Sequence, residues 1–174
     1  MVQTPFDWYA VVEGNEIEQG DILLDFEVPE VREPVEADSP IVDFVSYDMV
    51  VMTQSCDIPK ASIEHLVLCP IVQISDAASL NPEFGQPRGK ENLRRGNVFA
   101  YHLLKECGLP AFERDLMVVQ FERVIERRKS SVELFVAAQD RRLRLLPPYR
   151  EHLAQAFARF FMRVGLPIDI PPFT

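Results

Sequence analysis

Asp48-Met49-Val50-Val51-Met52-Thr53-Gln54-Ser55-Cys56-Asp57 is an apolar run that breaks into five consecutive polar or reactive side chains. The run predicts a buried strand, and the break marks its end, where a rigid scaffold commonly presents side chains for chemistry or recognition. His65-Leu66-Val67-Leu68-Cys69-Pro70-Ile71-Val72-Gln73-Ile74 is apolar on both alternating faces. That pattern predicts a central strand, provided Pro70 lies where the ladder needs no donor. The two stretches together predict the core of a sheet, with residues 53–57 as a candidate site at its rim.

Toward the N-terminus, residues 6–12 read as an aromatic and β-branched strand, and the Gly20-Asp21 pair introduces another over residues 21–28. Residues 29–40, rich in proline and acidic residues, predict an exposed, mobile loop. A short strand is expected over 41–45 and a buried one over 47–54. Toward the C-terminus, Gly85, Pro87, Gly89 and the basic stretch Lys90–Arg95 predict a long excursion over residues 75–97 with one helical turn, and residues 98–104 resume strand character. Alternation places Met117, Val119, Phe121 and Ile125 on one face of a strand over 116–125, shared with Arg123. Residues 132–138 read as its hairpin partner and 141–146 as the last strand of a meander. Pro147-Pro148 then opens a helix over about 148–164, with Leu153, Phe157, Phe160, Phe161 and Val164 on one face and Gly165 as its stop.

At 174 residues, with 47% hydrophobic and 26% charged residues, the chain suits one folded domain spanning 1–174. It lacks an apolar run of the roughly 20 residues that cross a bilayer, and its start has no secretory pattern, so a cytoplasmic location is expected. Three cysteines without short repeated spacing argue against a disulfide framework. The net charge of −9 is unevenly placed: residues 1–58 hold 14 acidic residues against Arg32 alone, whereas the remainder holds 17 basic and 13 acidic ones. Such a molecule is a poor general nucleic-acid binder, although a local basic face in the second half is compatible with the count.

Cys56 is a candidate nucleophile with His102 or His65 as its base, while the adjacent Asp57 disfavours the thiolate. Cys56, Asp57, His65, Cys69, His102 and Cys107 are scattered without metal-ligand spacing, so neither a metal site nor a cofactor is expected. The plainer reading of Gln54 and Asp57 is hydrogen bonding to backbone where the strand turns. Arg123, Arg127, Arg128, Arg141, Arg142 and Arg144 fall on what read as adjacent strands. They suit either phosphate binding or pairing with the acidic first half.

The Gly-Asp strand Glu18–Phe26, the apolar strand Met49–Thr53 and the run Leu68-Cys69-Pro70-Ile71 resemble the PemK/MazF-like family over residues 18–74. The resemblance implies a bacterial-type SH3-like β-barrel that dimerises and cleaves single-stranded RNA, in a toxin–antitoxin or defence setting. Thr53 or Ser55 would stand for the family's catalytic hydroxyl. Residues 38–49 hold no counterpart of its catalytic arginine, and Arg32 is the only arginine nearby. The expected architecture is thus mainly β (β+α), a small SH3-like barrel over about 6–146 with inserted loops and a C-terminal helix. The expected function is an interaction or accessory module, homodimeric, that binds a protein or nucleic-acid partner through the Thr53–Asp57 pocket, with Gln54, Arg123, Arg141, Arg142 and Arg144 contributing. The alternative is an endoribonuclease or a cysteine-dependent hydrolase using Cys56, in which Asp57, His102, Ser55 and Thr53 complete the catalytic set.

Overall fold

The computed structural model describes residues 6–32 and 41–162. Its strands are β1 (Tyr9–Glu13), β2 (Asp21–Val31), β3 (Val42–Val51), β4 (His65–Gln73), β5 (Tyr101–Leu104), β6 (Met117–Gln120), β7 (Ile125–Arg128) and β8 (Arg141–Leu145). Its helices are α1 (Ile74–Leu80), α2 (Pro87–Arg94), α3 (Lys129–Ala137) and α4 (Tyr149–Phe161), with a 3-10 turn at Pro82–Gly85. The strands form one antiparallel sheet in the order β1-β8-β2-β3-β4-β6-β5, with β7 also pairing β4.

The sheet ends at β1 and β5 and is not closed, so the expected SH3-like barrel gives way to an open α+β sheet. Closure depends on tilt and stagger accumulated over all strands, a non-local property that alternation within one strand does not encode. Helices cover the two faces instead. Along β4, Cys69 and Ile71 join the core beneath α4, which includes Leu143, Tyr149 and Leu153. Leu66 and Leu68 point the other way, into a core with Val132 and Val136 of α3. Farther along that second face, Ala77, Phe84 and Leu93 pack on Val118, and Val72 lies against them. Leu153 is fully buried, a contribution of about 2 kcal/mol from its apolar area.

The hairpin partner expected over 132–138 is the helix α3. Val132 and Val136, four residues apart, are both fully buried, and the ring of Phe135 meets Phe26 edge-on at 4.7 Å, whereas Leu134 is 74% exposed. A stripe at helical spacing therefore wins over β-propensity. The excursion over 75–97 is likewise structured, as α1, the 3-10 turn and α2. Gly85, Pro87 and Gly89 read as loop signals, but Pro87, like Pro82 before it, occupies a first turn, where a missing N–H is harmless. At Gly89 an added Cβ would lie 1.8 Å from the Glu83 carbonyl oxygen, so this glycine lets α2 rest on the preceding turn.

The strands expected at 41–45 and 47–54 are one strand, β3. The single strand expected over 116–125 is instead interrupted: the register on β4 changes from Ile71↔Val119 to Leu68↔Ile125, leaving Gln120–Val124 opposite Cys69 and Pro70. Pro70, which has no N–H, therefore sits at a bulge. Phe121 stays with Met117 and Val119 under α4, but Ile125 crosses to the other face. The order is not a meander, because β8 inserts between β1 and β2. Consequently β7 and β8, expected as neighbours, are separated by β4, β3 and β2. The C-terminal helix is present as Tyr149–Phe161. Val164 and Gly165, like most of the acidic loop expected over 29–40, lie outside the described residues.

Candidate functional site

Residues 53–57 begin where β3 ends, and their polar atoms are largely engaged by backbone. Thr53 Oγ1 accepts a hydrogen bond from Val67 N–H at 2.8 Å, and Ser55 Oγ accepts one from Gln19 N–H at 3.0 Å. The Gln54 carbonyl accepts from Asp57 and Ile58 N–H, and Asp57 pairs with Lys60. Thr53 and Ser55 thus take the backbone-satisfying role of short polar side chains at strand ends, whereas the Asp57 carboxylate meets a side chain. Cys56 is exposed, with Gln54 Oε1 3.8 Å from its Sγ. The structure does not bring it to either histidine. His65, at the start of β4, has its Nδ1 3.4 Å from Glu126 of β7, and His102 is on β5, three strand spacings or roughly 14 Å across the sheet from β3. Cys69 and Cys107 are buried, and burial pushes the Cys69 thiol up to about 12. Among the described residues no group of three or more His, Cys, Asp or Glu side chains is placed to hold a metal ion.

The six arginines separate with their strands. Arg142, 2% exposed, donates from Nε to Asp21 Oδ2 at 2.7 Å and from Nη1 to the Gly14 carbonyl at 2.6 Å. Arg144 also engages Asp21, and both Arg144 and Arg150 reach Glu18. The cluster clamps the β1–β2 connection onto β8 and α4, and Gly20, at φ +87°, makes the turn that delivers Asp21 to it. Arg123 Nη2 donates to Glu30 at 2.8 Å and to the Tyr47 hydroxyl at 3.1 Å. Arg128 and Arg141 are exposed. The charge asymmetry in the sequence thus corresponds, for Arg123, Arg142 and Arg144, to pairing with acidic residues of the first half.

A concave region lies elsewhere, along the edge strand β5 between α2 and α4. Two adjoining depressions of about 340 and 570 Å³ share Arg94, His102, Leu103 and His152. Lys90, Arg94, Arg95, Lys105 and Arg159 line them, against Glu91 as the one carboxylate. Arg94 and Arg95 both bind Glu91 and hold its carboxyl down at about 2. Among the described residues Lys90, Lys105 and Arg159 have no ion-pair partner. One wall is aromatic: Trp8 stacks on Tyr149 at 3.7 Å and 12°, and the Tyr9 hydroxyl donates to the Lys105 carbonyl at 2.7 Å, fixing the end of the floor. His102 is held near 4, chiefly by burial and further by His152 and Arg159, so it is neutral at pH 7.

Of the residues singled out from sequence, only His102 lines this cleft. The others missed detection because the wall is assembled from positions 8, 90–95, 102–105 and 149–159, and no short spacing connects them. The one local signal was the basic pattern Lys90, Arg94, Arg95 inside the supposed loop.

No family model matches the chain, nor does any curated protein or solved structure. No helix among the described residues is long and apolar enough to cross a membrane.

Proposed function

We propose that this protein is an interaction module whose ligand site is the α2–α4 cleft and whose partner presents negative charge there. The carrying observation is local charge reversal: five cations and one already-paired carboxylate line a concavity in a chain of net charge −9. Cations gathered in a walled cleft focus potential on an anionic ligand more strongly than the same charges spread over a surface. The aromatic wall adds apolar contact area, as ligand sites commonly do. This keeps the function expected from sequence and moves its site away from residues 53–57. The hydrolase and ribonuclease readings draw less support, since Cys56 has no histidine beside it and the Thr53 and Ser55 hydroxyl oxygens accept from backbone.

The test is titration of fluorescein-labelled polyglutamate and of a single-stranded RNA oligomer against the full chain and two charge-reversed variants. Lys105→Glu with Arg159→Glu is expected to weaken binding of whichever anion binds by about tenfold or more, the scale of two lost charge contacts. Arg128→Glu with Arg141→Glu, outside the cleft, is expected to leave it nearly unchanged. Equal loss in both variants would mean a diffuse charge effect and no site.

A further inference from the structure

The floor of this cleft is a sheet edge, and its backbone pattern points to what fits it. Among the described residues β6 is the one ladder neighbour of β5, with His102 opposite Val119 and Leu104 opposite Met117. Phe121 N–H donates to the Ala100 carbonyl at 2.8 Å, which makes Ala100 and Phe121 a hydrogen-bonded pair. Antiparallel ladders alternate such pairs with non-bonded ones. His102 and Leu104 therefore spend their backbone groups on β6, and Leu103 turns its N–H and C=O outward. Tyr101 turns its C=O the same way, while its N–H is taken by the Val98 carbonyl at 3.1 Å. Leu103 lines both depressions and Tyr101 one of them, so this edge of the sheet borders the cleft.

We infer that the occupant is an extended acidic peptide segment of a partner protein, which adds to β5 as a further strand. This rests on the reading of the cleft as an anion site and names its ligand. A strand laid there meets Leu103 N–H and C=O and Tyr101 C=O at the spacing of a ladder, the source of affinity in strand addition. Its side chains alternate between the two faces. One set faces α2 with Arg94 and Arg95, and the other faces α4 with Arg159, so carboxylates are matched on either alternation. At the Lys105 end, the stacked Trp8 and Tyr149 suit an apolar or aromatic side chain. A nucleic acid has no backbone that alternates amide donors and acceptors along this edge, so it cannot extend the ladder. The edge is short and flanked by charge, as exposed edges that avoid indiscriminate pairing are.

The experiment uses the full chain, isotope-labelled, with a library of blocked heptapeptides that carry glutamates in every register among valine and phenylalanine. The tightest-binding library peptide is expected to slow hydrogen exchange at the Leu103 amide by about tenfold or more. Without peptide, that amide should exchange faster than those of His102 and Leu104. N-methylation along the peptide should weaken binding at every second amide and spare the ones between, and Arg94→Glu or Arg159→Glu should weaken all peptides. Both arginines are exposed, so their reversal leaves the packed cores intact. If peptides bind with the same charge dependence but N-methylation shows no alternation and Leu103 exchange is unchanged, strand addition is overturned and the anion cleft stands. Binding of a single-stranded RNA 12-mer, sensitive to Arg159→Glu, with no peptide binding, likewise overturns the peptide and keeps the cleft. If neither ligand binds, both readings fall.

Discussion

His102 offers a direct check on how the cleft is built. Its side chain is half-buried beside Phe121, with ring centroids 6.1 Å apart, and the fold takes it from 6.5 to about 4, chiefly through desolvation. The unfolded chain therefore binds a proton between those values that the folded chain refuses. Stability from this group is complete above about pH 6.5, declines as pH falls from there toward 4, and is flat below. Between pH 7 and pH 5 the two values imply a loss of about 2 kcal/mol, or a fall in Tm of about 4–8 °C for a domain of this size. Urea titrations of the natural chain and of His102→Phe, which keeps a ring and removes the titration, should differ by this amount over that interval, and the variant should show the shallower pH dependence. Parallel pH profiles would refute a desolvated neutral histidine, and with it the packing of α4 against β5.

Asp21→Ala leaves the 98% buried Arg142 without its carboxylate and should cost about 3–5 kcal/mol in chemical denaturation, much of it recovered when Arg142→Met is added. Gly89→Ala drives a methyl into the Glu83 carbonyl and should destabilise the chain by more than the gain in helix propensity, with exchange of α2 amides accelerated first. Thr53→Val removes the acceptor for Val67 N–H and should cost about 1–3 kcal/mol in the same denaturation assay. Native-state alkylation followed by mass spectrometry should modify Cys56 and spare Cys69 and Cys107 until the chain unfolds.

Elements with strong local pattern were legible. β2, β4, β8 and α4 each carry their own period and their own start or stop signal, and Pro70, required to lie where the ladder needs no donor, pairs Met49 on one side and faces the gap between β6 and β7 on the other. What failed was settled by partners distant in sequence. Residues 132–138 satisfy strand propensity and helical spacing alike, and only the core around Leu66 and Phe26 decides between them. The prolines at 82 and 87 punctuate helices rather than loops because Phe84 and Leu93 find a buried surface on Val118. The arginines of β8 were read as paired with the acidic half or free to bind phosphate, and burial of Arg142 against Asp21 supplies the first. The cleft was illegible for the same reason as the sheet order: its walls come from four separated segments that only the fold brings together.

The insertion of β8 between β1 and β2 has a consequence for the order of assembly. Tyr9 pairs with Leu145 and Ala10 with Arg144, contacts that close a loop of well over a hundred residues. Closing it costs about 4 kcal/mol of chain entropy before any contact repays it, and long-range pairing of this kind slows folding. During synthesis β1 is made early and waits for β8 to leave the ribosome, with Asp21 and the apolar side chains of β2 lacking their final covering meanwhile. The N-terminal half cannot mature as a unit on its own, and an early stop before residue 141 would yield a chain suited to chaperone capture and proteolysis rather than a smaller working protein.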